Sequence, residues 1–358
     1  MSRFGVEVSS DVAQVVDAWA TLEPFGTLFQ TRTWLLSWFA VIGPKFGASP
    51  VFVTVRDYLT RRPVMFFALC RQSRRGLVMI EFPDLNVSDY NAPLVDPGVT
   101  LTRDEIAKLW FEICKALPQA DVIRFDKIPQ KIFGNQNPIT HLRWLQTMDT
   151  RSWMLTLPAT IDEYENNTLV KKVKKEQKRK RNRLEAHSGK LTFYVADTYN
   201  ERRKIFNALK SQRRARYGVG EILQNPTFSA FYEAIGVNTE SAMFTLSALK
   251  AGDAIVATLL SLRSGDYCCV LFHCFEPALE AFSPGIVALN SAIAWAIDNG
   301  IRYFDFSVGN LAYKQQFGVR EQILLHGLYP LSLRGKLYKL AWKLKKKWLG
   351  SEPIKWLA

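Results

Sequence analysis

The sequence has few of the residues that bind metals or form disulfides. Its four histidines show no ligand spacing with one another or with cysteine, which argues against a zinc site. The five cysteines are an odd number without a C-x-x-C pair, a usage typical of a reducing compartment. The first residues lack the order of a signal peptide, and no apolar run reaches the roughly 20 residues that cross a bilayer. We therefore expect a cytoplasmic protein without a metal.

Length and charge set two further expectations. The 358 residues exceed one typical domain of roughly 100–200 residues, so we expect two domains. The formal net charge of +14 predicts attraction to an anionic partner, whether nucleic acid, a membrane surface or a phosphorylated ligand. Much of this charge lies in two segments, Lys171 to Arg183 and Arg334 to Lys355.

Hydrophobic periodicity predicts the same order of elements in both halves. In the first half, three strands between Val51 and Phe82 precede a helix, Asp104 to Leu117, and the strand Val122 to Phe125. Two more strands, His141 to Met148 and Trp153 to Leu157, are predicted to extend this sheet. In the second half, a basic helix over Ile161 to Ala186 and two further helices precede three strands, a helix and a strand. Each half reads β-β-β-α-β, which predicts an α/β fold with a mixed α+β sheet in each of two domains, residues 1–157 and 158–332. Residues 333–358 are predicted to form a basic amphipathic C-terminal helix.

The segment Ser283-Pro284-Gly285 lies between a predicted strand and the start of a helix. A helix N-terminus offers free N–H groups and partial positive charge, and glycine lets a phosphate approach the backbone. This favours a coenzyme A site. The alternative is that Ser283 caps the helix, Pro284 occupies its first turn and Gly285 packs tightly.

A second segment follows, in which an apolar strand carries one acid, Asp305, and a short helix presents Tyr313 and Lys314. A buried carboxylate is paired, protonated or functional, because an isolated one is costly. A bond from Asp305 to backbone or to an arginine is the alternative interpretation.

These motifs, together with Gln30, Trp34 and Leu35 in an early helix and Asp89-Tyr90 in a loop, give the chain a resemblance to a known family. It resembles the CelD-like, or BioF-like, acetyltransferases of the GNAT superfamily, which are related to the FemABX peptidyltransferases. The resemblance implies two GNAT-like acyltransferase domains packed together, with acetyl-CoA or another acyl-CoA as donor. FemABX-like use of aminoacyl-tRNA is the alternative donor.

The resemblance also implies roles for individual residues. Tyr313 resembles the GNAT tyrosine that protonates the departing thiolate. His273 is the predicted general base, because its ordinary pKa suits the task, with Asp305 second; a core histidine is the alternative. The predicted donor site includes a backbone N–H of a splayed strand and consists of Val270, Leu271, Ser283, Pro284, Gly285, Ile286, Val287 and Lys314. The predicted acceptor site consists of Trp34, Asp89, Tyr90, Arg214 and Tyr217, with core packing or a solvated helix end as the alternative.

The two basic segments allow two interpretations each. Lys171 to Arg183 is either a nucleic-acid arm or, as we favour, a solvated helix face, because it lacks stacking aromatics. In the tail, leucines at helical spacing beside lysines are typical of a helix on an anionic membrane surface, with Trp342, Trp348 and Trp356 near the interface. Docking of this helix on the protein itself is the alternative.

We therefore expect an acyl-CoA-dependent N- or O-acyltransferase that acts on a sugar or another precursor of exopolysaccharide or cell envelope. It would be cytoplasmic, with peripheral contact at the inner face of the membrane. The alternatives are a peptidyltransferase that uses aminoacyl-tRNA, and a non-catalytic GNAT-like module that assists polysaccharide biosynthesis.

Overall fold

The computed structural model describes residues 3–238, 243–310 and 312–349. Contacts within the chain divide it into two compact units. Unit 1 comprises the described parts of Met1–Thr150 and Ile323–Ala358, and unit 2 is Arg151–Gln322. The sequence placed the first boundary at residue 157 and ended the second domain at residue 332, whereas here the chain returns to unit 1 at residue 323.

Unit 1 begins with a strand and a helical segment, which an antiparallel meander follows. Its elements are β1 (Phe4–Ser9), α1 (Val16–Leu22), α2 (Arg32–Val41), β2 (Ser49–Asp57), β3 (Pro63–Arg74), β4 (Leu77–Glu81), β5 (Leu94–Val95), α3 (Arg103–Ala116), β6 (Val122–Pro129), β7 (Lys131–Ile132) and β8 (Asn135–Gln136). Strands β1 to β4 pair antiparallel in order, and β4 then pairs with β6 in parallel.

Helix α3 covers this sheet with one apolar face. Thr102 and Glu105 form a capping box at its N-terminus, which satisfies backbone N–H groups of the first turn. Ile106, Leu109 and Ile113 recur at helical spacing and are buried in the same core as the strands.

The chain then enters unit 2. Its elements are β9 (Gln146–Thr156, from Arg151 onward), α4 (Ile161–Glu163), α5 (Lys171–Ser188), β10 (Leu191–Val195), α6 (Tyr199–Tyr217), α7 (Pro226–Gly236), β11 (Phe244–Ala251), β12 (Ala254–Ser264), β13 (Tyr267–Phe275), α8 (Pro284–Asp298) and β14 (Tyr303–Val308). Strands β10 to β13 pair antiparallel in order, β13 pairs with β14 in parallel, and β14 pairs antiparallel with residues 152–156 of β9. The predicted order β-β-β-α-β is therefore present in both units.

The last elements are β15 (Arg320–Pro330) and α9 (Leu333–Leu349). From Leu324 to Pro330, β15 pairs antiparallel with β6 and extends the sheet of unit 1. Gly327 is required in this strand, because a side chain there would collide with the backbone of Trp144.

Two predicted elements differ from the structure. The single helix expected over Ile161 to Ala186 is interrupted after α4 by a π-turn, Tyr164–Thr168, and by an extended Val170. Tertiary packing causes the interruption, because Tyr164 is buried and its hydroxyl donates to the Phe317 carbonyl at 3.2 Å. The strand expected over His141 to Met148 is instead a 3-10 turn at Pro138–His141, followed by β9 from Gln146.

Of the predicted C-terminal tail, residues 350–358, including Trp356, lie outside the described residues. Among the helices that the structure describes, none is both long and apolar enough to cross a membrane.

Candidate active site

The sheet of unit 2 opens between its two parallel strands. In the described residues, β13 and β14 pair over three positions, Tyr267–Cys269 against Tyr303–Asp305. β13 continues to Phe275, whereas β14 is diverted: Ser307 has φ 64°, and the register of β14 with β9 shifts between Asp305 and Val308. The residues of β13 beyond Cys269 therefore border an opening at this edge.

A β-bulge lies in β13 at this opening. Ser261 pairs with Val270 and Leu260 pairs with Phe272, so Leu271 is an extra residue in β13. A bulge re-aims the backbone groups around it, and bulges are frequent next to active sites. The bulge lies in the segment where the sequence predicts an N–H for the thioester carbonyl, and that role stays a prediction.

Helix α8 begins beside the same opening without a side-chain cap. Ser283 has a left-handed backbone, φ 55°, and its side chain makes no capping hydrogen bond. Ser283 thus occupies the N-cap position without capping the helix through its side chain, whereas Pro284 in the first turn and the tight packing of Gly285 agree with the alternative interpretation. The Ser283 carbonyl accepts from the N–H groups of Ile286 and Val287, and the first turn of α8 holds no acid. Neither a capping side chain nor an acid of its first turn therefore neutralises the positive end of the helix.

Gly285 lets this helix start touch the end of β13. A Cβ at Gly285 would lie 2.9 Å from Cδ1 of Phe275 and 3.6 Å from Cδ2 of His273. Any larger residue would therefore displace an aromatic ring that lines the opening. Pro284 and Val287 are buried beside it, and Ile286 is partly buried.

His273 and Tyr313 face each other at this point. The Tyr313 hydroxyl lies 3.5 Å from Nδ1 of His273, at the long end of hydrogen-bonding distance. Burial raises the pKa of Tyr313 well above its usual range, so the phenol keeps its proton. Tyr313 is therefore suited to donate a proton to a leaving group.

His273 is less suited to the role of general base than its ordinary pKa indicates. Burial, followed by the charges of Arg216, Arg213 and Lys314, lowers its pKa to about 3. The imidazole is therefore neutral at pH 7 but a weak proton acceptor. The geometry gives it a different role, as a neutral hydrogen-bond acceptor that orients the Tyr313 hydroxyl.

Asp305, the second predicted base, is a structural residue. It is fully buried, and its carboxylate accepts from the Tyr267 hydroxyl and, at 2.6 Å, from the N–H of Ser307. The alternative of a bond to backbone is the one that the structure supports, together with a tyrosine that the sequence did not indicate. These bonds hold β14 in the conformation that diverts it from β13.

Lys314, predicted to bind the donor, is also buried. Its Nζ donates to the carbonyl of Ser307 at 3.0 Å and to that of Val308 at 3.2 Å. The ammonium group therefore stabilises the same turn as Asp305 and adds positive charge near His273. A direct contact of Lys314 with the donor is not compatible with this burial.

Of the two arginines at the end of α6, Arg214 and Arg216, it is Arg216 that reaches the opening. The guanidinium of Arg216 lies 4.5 Å from the centre of the Phe275 ring and 5.2 Å from that of Tyr217. Both Tyr217 and Arg216 influence the pKa of Tyr313. Arg214 is exposed and makes none of these contacts. Helical geometry separates the two arginines, because residues two positions apart project from nearly opposite faces of a helix.

Two of the predicted acceptor residues are core residues of unit 1. Trp34 is fully buried, and its indole N–H donates to the Ser88 hydroxyl at 3.1 Å. Tyr90 is 4% exposed and packs against Phe29. Neither ring can line an acceptor pocket, because both are enclosed by other side chains. Asp89 is partly buried, and its predicted role stays a prediction.

Metal ligands do not cluster in the part of the chain that the structure describes: no three His, Cys, Asp or Glu side chains are grouped to hold an ion there. Cys268, Cys269 and Cys274 are buried in the sheet of unit 2.

Comparison with known proteins agrees with this geometry. Residues 171–315 match the family model described as an acetyltransferase (GNAT) domain. Among solved structures, FemX is similar with a TM-score of 0.63 and 13% identity, over 93% of this chain and 99% of that one. The C-terminal domain of a putative lysylphosphatidylglycerol synthetase from Agrobacterium fabrum gives a TM-score of 0.54 and 10% identity, over 92% of this chain and 96% of that one. A tandem GNAT protein from the clavulanic acid biosynthesis pathway gives a TM-score of 0.52 and 11% identity, over 92% of this chain and 99% of that one. The search of curated proteins gives no match.

The fold is therefore GNAT/FemABX-related, with two GNAT-like domains, and the predicted resemblance is confirmed. The matched domain lies within unit 2 and contains the opening, the start of α8 and Tyr313. By sequence, unit 2 therefore contains an acetyltransferase (GNAT) domain.

Proposed function

We propose that unit 2 transfers an acyl group from acyl-CoA to an amine or hydroxyl group of an acceptor. The observation that carries this proposal is the meeting of an uncapped helix start, at Gly285, with the His273–Tyr313 pair beside the opening of β13. A pyrophosphate suits the helix N-terminus, because its charge complements the partial positive charge there. The thioester would then extend toward the bulge at Leu271.

The chemistry is a direct transfer. The lone pair of the acceptor nitrogen or oxygen attacks the thioester carbonyl carbon, a C–N or C–O bond forms, and the C–S bond breaks. Tyr313 donates its proton to the departing thiolate, the acceptor loses its proton to solvent, and solvent reprotonates Tyr313. Positioning of the two substrates supplies much of the rate, and the proton donor adds on the order of 10²–10⁴-fold.

For the acceptor, we propose a sugar or another precursor of exopolysaccharide or cell envelope that carries a phosphate. The resemblance to CelD-like acetyltransferases implies the sugar or envelope precursor. Arg216 supports the phosphate, since its guanidinium is held over Phe275 and Tyr217 beside the opening, where it can pair with an anion.

Aminoacyl-tRNA is the second candidate donor, and helix α5 is the observation that favours it. Lys171, Lys172, Lys175 and Lys178 are exposed on α5. The same helix approaches the start of α8, because His187 stacks on Phe282 with ring centres 4.2 Å apart. A row of cations that leads to the acyl site suits a phosphate backbone.

Isothermal titration with acetyl-CoA and with free coenzyme A tests the first proposal. We expect micromolar binding by the wild type and a loss of at least about tenfold in Gly285→Glu, because the new carboxylate adds bulk and negative charge at the helix start. Gly5→Glu is the matched control, since a Cβ at Gly5 in unit 1 meets no atom within 4 Å. Circular dichroism establishes that both variants are folded.

Absence of binding by the wild type would overturn the acyl-CoA proposal. Salt-dependent binding of aminoacyl-tRNA, reduced by reversing the charges of Lys175 and Lys178, would then identify the second donor. Binding of acetyl-CoA without transfer to any amine or hydroxyl acceptor would instead favour the non-catalytic alternative.

A further inference from the structure

Helix α9 exposes a stripe of leucines. Their side chains are at least half exposed, in contrast to the buried apolar residues of the other long helices: Leu333 is 76% exposed, Leu337 70%, Leu340 56% and Leu344 50%. At 100° per residue, spacings of four, three and four place these four side chains on one narrow face of the helix.

The opposite face of α9 holds the helix on unit 1. A side chain at position 335 would collide with the backbone of Asp121, so Gly335 lies directly against it. Trp342 packs edge-on against His326 with ring centres 5.5 Å apart. Tyr338, between them on the same face, is partly buried and close to Arg124. The helix is therefore docked through a glycine and two aromatic residues, and its leucines are not needed for that contact.

The leucine stripe is bordered by positive charge. Lys336 and Lys343 are exposed beside it. The 17 residues of α9 contain no Asp or Glu. Their basic residues are Arg334, Lys336, Lys339, Lys343, Lys345, Lys346 and Lys347.

We propose that this face of α9 binds an anionic lipid bilayer, with the leucines in the interface and the lysines at the headgroups. Apolar side chains flanked by lysines are typical of helices that lie in the plane of a membrane surface. Each cation near an anionic surface adds attraction, and long lysine side chains reach headgroups while their stems stay apolar. Over its described residues, Leu333–Leu349, the helix does not meet the length and apolarity of a membrane-spanning segment.

Charge also decides between a membrane and a second copy of the chain. In a symmetric dimer through this face, α9 would meet its own copy, so lysines would approach lysines without an acid to pair with them. An anionic lipid surface supplies the negative charge that a second copy lacks. This inference does not depend on the acyl donor, because the proposed acyl site consists of residues of unit 2, whereas α9 belongs to unit 1.

The test is flotation of the full chain with vesicles of phosphatidylcholine alone and of phosphatidylcholine with about one third phosphatidylglycerol. We expect binding to the anionic vesicles that weakens as salt is added. Leu337→Gln with Leu340→Gln should reduce the partition coefficient by at least about tenfold, and Lys336→Glu with Lys343→Glu by a similar factor.

Matched controls separate this face from general effects of hydrophobicity and charge. Leu59→Gln changes a leucine that is 90% exposed elsewhere in unit 1. Lys45→Glu with Lys131→Glu reverses two exposed charges away from α9. We expect both controls to bind like the wild type.

Two outcomes would overturn the proposal. One is equal binding by the wild type and the leucine variant. The other is a wild type that does not float with vesicles and is a dimer by light scattering, when Leu337→Gln with Leu340→Gln makes it a monomer. This result would assign the leucines to contact with a second copy. The acetyl-CoA titration distinguishes these results from a failure of the proposed activity.

Discussion

Unit 1 and unit 2 share a plan at the point where their parallel strands meet, and they use it differently. In each unit the parallel pairing spans three positions, β4 with β6 in unit 1 and β13 with β14 in unit 2. In each, a residue with positive φ lies close behind a Phe-Asp pair: Lys127, at 56°, comes directly after Asp126, and Ser307, at 64°, comes two residues after Asp305. The two units then diverge in what lies next to the separated strand ends.

In unit 1 the strand ends are joined by a network of polar side chains. Lys127 pairs with Asp84 at 2.9 Å and donates to the carbonyl of Ser88 at 2.6 Å. Asn91 donates to Asp84 and to the carbonyl of Asp126. Because these groups bond one another, they are not available to a substrate.

The helices α3 and α8 also differ, in how their N-termini are capped. In unit 1, α3 starts with the Thr102–Glu105 capping box, which places a carboxylate at the helix N-terminus. In unit 2, α8 starts at a left-handed Ser283 with neither a side-chain cap nor an acid in its first turn. A helix start that the chain neutralises itself cannot attract a phosphate as an uncapped one can. The shared plan thus carries a structural network in unit 1 and a candidate acyl site in unit 2.

The largest expected effect is that of Tyr313→Phe on catalysis. Loss of the hydroxyl removes the proton donor for the thiolate, so kcat should fall by about 10²–10⁴-fold with little change in acetyl-CoA affinity. Tyr329→Phe in unit 1 is the matched control and should retain wild-type kcat, because that ring packs against Trp110 and Trp144. Steady-state kinetics and titration check both. Undiminished turnover in Tyr313→Phe would remove the phenol from the mechanism.

The second prediction concerns the network in unit 1. Lys127→Met leaves Asp84 as a largely buried carboxylate without its ion pair, so the free energy of unfolding of unit 1 should decrease by about 3 kcal/mol. Urea unfolding measures it, with the exposed Lys131→Met as control. Binding of acetyl-CoA should be unaffected, and a loss of affinity in the folded variant would contradict the contrast between the units.

The smallest expected effect is a pH dependence that arises at His273. Its pKa of about 3 in the folded protein lies below the ordinary value of about 6.5 in the unfolded chain. The unfolded state therefore binds the proton first as pH falls, and stability present above pH 6.5 is lost between pH 6.5 and pH 3. Between pH 7 and pH 5 the wild type should lose about 1–2 kcal/mol more than His273→Gln.

Urea unfolding at the two pH values provides that difference, and an NMR titration of the imidazole reports the pKa directly. A midpoint near 6.5 for His273 would mean that the ring is not enclosed by cations, and it would restore the histidine as a candidate base.

Most of the fold could be predicted from local patterns. The three strands of each meander alternate with turn residues, and the α3 and α8 segments carry helical periodicity, so their positions in the structure agree with prediction to within a few residues. Strands β1, β10 and β15 were not predicted. Each is paired with a neighbour distant in sequence, as β15 is with β6, and local periodicity carries no information about such a partner.

Some residues of the candidate site were predicted correctly and others were not, because local sequence does not determine which side chains become buried. Gly285 and Tyr313 belong to short motifs, and the structure brings both to the opening of β13. Arg214 and Arg216 lie at the same helix end, and only the orientation of α6 distinguishes them. Lys314 and Asp305 were assigned to chemistry from residue type, whereas their burial and hydrogen bonds make them parts of a turn.

The sequence by itself determined the class of fold, the repeated order of elements and the motif at the start of α8, because these depend on periodicity, turn chemistry and residues close in the chain. Tertiary structure alone decided which charged groups are enclosed, which pKa values shift and which face of α9 remains exposed. Those properties depend on the neighbours that folding brings together, since desolvation and Coulomb interactions act through space and not along the sequence.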